Sequence, residues 1–65
     1  MFKVKVRVRV KTNNHVKNEE FETMVDHDTY SKCTMSNASK VVAEAWRKSM
    51  FPGADEVTIM GITKL

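Results

Sequence analysis

From Phe2 to Lys11 the chain alternates without a break: Phe2, Val4, Val6, Val8 and Val10 fall between Lys3, Lys5, Arg7, Arg9 and Lys11. Successive side chains on a strand point to opposite faces, so period two over ten residues specifies a strand with one apolar and one cationic side. At about 3.3 Å per residue such a strand runs roughly 33 Å. Its valine side must be covered, and the chain has only 65 residues with which to do it. A chain of that size buries about 60% of the surface it exposes when unfolded, which allows one thin core and a single domain over residues 1–65. A barrel, a dinucleotide-binding fold or a two-domain enzyme does not fit.

The charges are segregated. Residues 1–17 carry Lys3, Lys5, Arg7, Arg9, Lys11 and Lys17 and no acid, whereas residues 18–30 carry Glu19, Glu20, Glu22, Asp26 and Asp28 and no Lys or Arg. Adjacent blocks of opposite sign predict paired strands. Thr12-Asn13-Asn14-His15 has turn chemistry, because Asn tolerates left-handed backbone. A second strand is expected over about 19–27, with Phe21, Thr23 and Val25 on one face and Glu20, Glu22, Met24 and Asp26 on the other. Folding about Asn14 and His15 sets Val8 against Phe21, Val4 against Val25, Arg9 against Glu20, Arg7 against Glu22 and Lys3 against Asp26. A slip of two residues keeps cations opposite acids; a slip of one sets valines against carboxylates and is disfavoured.

Residues 28–35 show no sustained period and are expected to connect. Ser36 or Asn37 offers an N-cap, and a helix over about 37–51 follows, with Ala38, Val41, Val42, Ala45, Trp46 and Met50 at the spacing of one face. Pro52-Gly53 stops it. A last strand is expected over about 56–64, with Val57 and Ile59 on one side and Thr58, Met60, Ile62 and Lys64 on the other, although a bulge at Gly61 would swap that parity. The fold class predicted is α+β: one small β-β-α-β domain, a three-stranded sheet in the order 3-1-2, and one helix packed on one face through Val41, Val42, Ala45 and Trp46.

The uncovered face of that sheet is the candidate partner-binding surface: Lys3, Lys5, Arg7, Arg9, Lys11, Thr58, Met60, Ile62 and Lys64. The alternative reading of the same face is a solvated surface whose cross-strand ion pairs hold register and discourage edge-to-edge association. Met60 and Ile62 would form an apolar centre with a charged rim. Aromatic side chains, which a base-stacking surface uses, are missing from it. The remaining constellations point to no chemistry. Asp26-His27-Asp28, His15 and Cys33 lack the paired ligand spacing of a zinc site, and no Gly-rich phosphate loop is present. Cys33 beside a histidine suggests no oxyanion site or substrate cleft. No catalytic residue, metal or cofactor is therefore expected. A lone cysteine, an N-terminus without a continuous apolar stretch and the absence of any apolar run of 18 or more residues together lead us to expect a cytoplasmic protein without a membrane partner.

The order β-β-α-β in about 65 residues, with Ala45-Trp46 late in the helix, Pro52-Gly53 after it and Glu56-Val57-Thr58 opening the last strand, resembles the small early proteins of tailed phages that inhibit bacterial RNA polymerase. The resemblance implies a non-enzymatic host-takeover protein acting in the bacterial cytoplasm and docking through a strand surface. In that family the docking arginines lie on the last strand. Here that strand carries Thr58, Met60, Ile62 and Lys64 and no arginine, so those contacts do not carry over. A second likeness, to a small β-β-α-β ribosomal protein, implies RNA binding and suits the net charge of +3. The expected partner is thus a host protein, with RNA polymerase favoured. The alternatives are a nucleic-acid or ribosome-binding module and a homodimer joined through the Met60 and Ile62 edge.

Overall fold

A computed structural model describes residues 1–65. The strands are β1 (Phe2–Thr12), β2 (His15–Val25) and β3 (Glu56–Lys64), and the helices are α1 (His27–Cys33) and α2 (Ser39–Met50). The sheet has the order β2-β1-β3, with both neighbours antiparallel to the central β1. The α+β class follows from this layering of helices on an antiparallel sheet. Val4, Val6, Val8 and Val10 are buried, and with Val25, Ala43, Ala54 and Val57 they make the core. β-branched side chains suit this place, because a pleated surface holds them in their preferred rotamers.

The hairpin forms two residues away from the expected register. Thr12 pairs with His15, Val6 with Phe21, Arg7 with Glu20 and Phe2 with Val25. The cause is the turn. Asn13 and Asn14 alone make the loop, and Asn13 takes φ 54 at its first central position, where primed hairpin turns need positive φ. The Asn13 N–H donates to Asp55 Oδ2 at 2.8 Å, tying the turn to the chain just before β3. Because the slip is even, every valine stays on its own face.

Two helices are present where one was expected. Asp26 caps α1, its Oδ1 accepting from the Thr29 N–H at 2.8 Å. Asp28 and Lys32 pair at 3.1 Å one turn apart, in the acid-first order that suits the helix dipole. Cys33 is buried beneath the short helix. The seven residues carry too few apolar positions to show a helical period, so the cap supplies the signal that periodicity lacks.

On α2 the buried row is also shifted from the expected one. Ala43 is 3% exposed, whereas Val41 is 69% exposed and Ala45 lies in solvent. Two contacts explain the rotation. Trp46 meets Phe21 edge to face at 5.4 Å, and Arg47 Nη1 donates to the Ala54 carbonyl at 3.0 Å, which draws the row containing Ala43 and Arg47 inward. The N-cap position is Ala38, with no side-chain cap, rather than Ser36 or Asn37.

In β3 the pairing with β1 breaks between Arg7 and Val8: Val8 faces Ile59, while Arg7 faces Gly61. Met60 is the additional residue. Beyond it the parity reverses, so Ile62 pairs with Val6 and packs against the core.

Candidate docking face

β1 supplies the middle row of the uncovered face, with Lys3, Lys5, Arg7, Arg9 and Lys11 all on the side opposite the buried valines. On the β2 side these face Met24, Glu22, Glu20, Asn18 and Val16 in turn. On the β3 side Lys5 faces Thr63, Arg7 faces Gly61, Arg9 faces Thr58 and Lys11 faces Glu56. Thr58 and Met60 therefore stand where the sequence placed them. Ile62 and Lys64 do not. The bulge turns Ile62 into the core, and Lys64 reaches the helix side, where its Nζ sits 4.5 Å from the Phe2 ring centroid. Phe2 in turn meets Tyr30 edge to face at 5.4 Å. The apolar centre expected from Met60 and Ile62 together is reduced to Met60, half exposed at 50%.

The ion pairs divide the face in two. Lys3 Nζ lies 3.2 Å from Glu22, and Lys5 Nζ lies 3.2 Å from Glu20. Each lysine thus reaches one step diagonally along β2 rather than straight across. The carboxylate directly opposite Arg7 is consumed by Lys5, and Arg9 faces no carboxylate, only Asn18 on β2 and Thr58 on β3. Arg7, Arg9 and Lys11 are left with no ion pair and no side-chain hydrogen bond within the chain; the only arginine so engaged is Arg47. Glu56, opposite Lys11, accepts instead from the Thr58 hydroxyl at 3.4 Å.

Arg7 and Arg9 border a shallow depression of about 380 Å³ whose other walls include Asn18, Glu20 and Met60. Gly61 shapes it. A methyl group on Gly61 would fall 2.8 Å from Arg7 Nη2, 3.4 Å from Nε and 3.5 Å from Cζ, so the guanidinium lies across the bare glycine backbone. Position 61 has no positive φ, and its lack of a side chain therefore serves this close approach rather than backbone geometry. The sequence marked Gly61 as a bulge and missed this contact. It also missed Val16 and Asn18, which continuing the alternation of β2 back from Glu20 would have found.

All five aromatic side chains (Phe2, Phe21, Tyr30, Trp46 and Phe51) pack against the core on the helix side. Burial raises the pKa of the Cys33 thiol, which holds it in the poorly nucleophilic protonated form. No three His, Cys, Asp or Glu side chains are grouped closely enough to hold a metal ion. No helix is long and apolar enough to cross a membrane. No protein-family model, curated protein or solved structure matches this chain significantly.

Proposed function

We propose that this chain is a non-enzymatic docking protein, a phage-type inhibitor or modulator that binds a host macromolecule through the uncovered face of its sheet, with bacterial RNA polymerase as the favoured target. The observation that carries the reading is the half-paired face: Arg7, Arg9 and Lys11 stand without internal partners beside the half-exposed Met60. Exposed arginine next to an apolar side chain, with a polar rim, is the composition that protein interfaces favour. The sequence resemblance at Ala45-Trp46, Pro52-Gly53 and Glu56-Val57-Thr58 supplies the choice of target.

The test uses purified bacterial RNA polymerase. The chain should co-purify with the polymerase and reduce transcription in vitro, and Arg7→Ala with Arg9→Ala should abolish both effects while the thermal melt changes little. Absence of binding to the polymerase, together with normal growth of bacteria expressing the chain, would overturn the reading.

A nucleic-acid or ribosome-associated module is the second reading, favoured by the same unpaired cations, which would contact phosphates. The confinement of every aromatic side chain to the helix side weighs against base stacking in it.

A further inference from the structure

We infer that the depression at the β3 bulge is a carboxylate-receiving site: Arg7, lying across Gly61, and Arg9 beside it take two acidic side chains of an extended segment of the protein partner, and Met60 takes an apolar side chain next to them. The inference rests on the docking reading and specifies the chemistry of the surface that is recognised. Three observations support it.

The first is the offset of the ion-pair ladder. Lys3 and Lys5 have Glu22 and Glu20, so the lysine end of β1 is internally neutralised, while the arginine end carries uncompensated charge. A partner therefore gains at Arg7 and Arg9 without first breaking an ion pair. The second is access. The guanidinium of Arg7 lies over the bare backbone of Gly61 with no ion pair or side-chain hydrogen bond within the chain, so its N–H groups are free to engage a partner. A planar guanidinium with free N–H groups donates two parallel hydrogen bonds to a carboxylate, an arrangement that lysine does not reproduce. The third is spacing. Residues two apart on a strand are separated by roughly 6.8 Å, so Arg7 and Arg9 match acidic side chains at alternate positions of an extended segment.

Protein carboxylates fit this surface better than a phosphate chain. The depression is lined by Glu19 and Glu20 as well as by Arg7, Arg9 and Met60. A phosphate chain carries charge at every residue and would find no aromatic side chain on this face to stack on, whereas a segment with acids only at alternate positions can set neutral side chains beside Glu19 and Glu20.

The experiment is a titration of the isotope-labelled chain, followed by NMR, with three probes. One is a blocked peptide with glutamate at its first and third positions, leucine at its fifth and serine between. The second is the same peptide with glutamine for glutamate, and the third is an oligouridylate of equal charge. Saturable shifts are expected at the Nε–Hε groups of Arg7 and Arg9 and at the Met60 methyl with the acidic peptide, at a Kd of about 1 mM. Arg7→Lys and Arg9→Ala should each weaken binding about tenfold. Gly61→Ala should weaken it similarly with an unchanged fold, because the added methyl displaces the Arg7 guanidinium, and Lys3→Ala with Lys5→Ala should change it by less than about twofold. Equal binding of the glutamine peptide, no shifts at the two arginines, or tighter binding of the oligouridylate would each overturn the inference. Polymerase binding that persists in any of those cases leaves the docking reading standing and moves the contact elsewhere on the molecule.

Discussion

Val6 sits at the centre of the central strand with no exposure to solvent, flanked by Phe21 on β2 and Ile62 on β3. Burying a valine side chain contributes about 1.5–3 kcal/mol. A domain of this size has a total stability of roughly 3–10 kcal/mol. Val6→Ala removes two methyl groups from a position that three strands cannot collapse around, and should cost about 2 kcal/mol in a denaturant melt. Val41→Ala, on the exposed side of α2, should cost less than about 0.5 kcal/mol. The contrast tests the rotation of the helix: equal losses at the two positions would mean that Val41 faces the sheet. Both residues satisfy a helix or strand pattern in the sequence. What separates them is a pair of tertiary contacts, Trp46 on Phe21 and Arg47 on the Ala54 carbonyl, and neither is written in the local period.

At the scale of elements, α1 depends on its cap. Hydrogen bonding from Thr29, through its side chain first and then its backbone N–H, holds the Asp26 carboxyl below the ordinary range. A carboxyl whose pKa is lower folded than unfolded stabilises the fold fully above the unfolded value and ceases to do so as pH falls through the folded one. Amide protection in α1 should therefore decline below about pH 4. Asp26→Asn keeps the cap, since Asn serves the N-cap equally well, and removes the titration. It should flatten the acid response of α1 as read by hydrogen exchange, and an unaltered response would place the titrating group elsewhere. The bond from Arg47 lowers the pKa of Glu44 in the same direction, so α2 retains an acid sensitivity of its own in that variant.

The elements differ in how far they could be read in advance, and the differences have physical causes. β1 alternates for ten residues, and no competing structure satisfies that pattern. The hairpin partner was legible in charge but not in register, because a slip of two still leaves Lys5 and Arg7 opposite acids and every valine on its own face, and only the left-handed Asn13 distinguishes the two-residue turn. α1 is fixed by the Asp26 cap, the buried Cys33 and the contact of Tyr30 with Phe2, and two inward side chains in seven residues are too few for a periodicity argument. The parity of β3 turned on the bulge at Gly61, and with it the places of Ile62 and Lys64.

For the molecule as a whole, the balance of charge across the uncovered face separates the two classes of partner. Lys3, Lys5, Arg7, Arg9 and Lys11 are set against Glu20, Glu22 and Glu56, and two of the three acids neutralise the lysine end. A face built for phosphates would gain nothing from those acids; a face built for a mixed protein surface uses them to confine free charge to Arg7, Arg9 and Lys11. Replacing the two acids, Glu20→Gln with Glu22→Gln, releases Lys3 and Lys5 and makes the whole strand available to a polyanion. Binding to a single-stranded oligonucleotide should then strengthen, and the dependence of log K on log salt should steepen by about 1.4, the contribution of two added phosphate contacts on a single strand. The unsubstituted chain should bind the oligonucleotide weakly and lose that binding at physiological salt. Tight binding by the unsubstituted chain, with the same salt slope in the double variant, would mean that Glu20 and Glu22 already stand aside for phosphates, and would favour the nucleic-acid reading over the docking one.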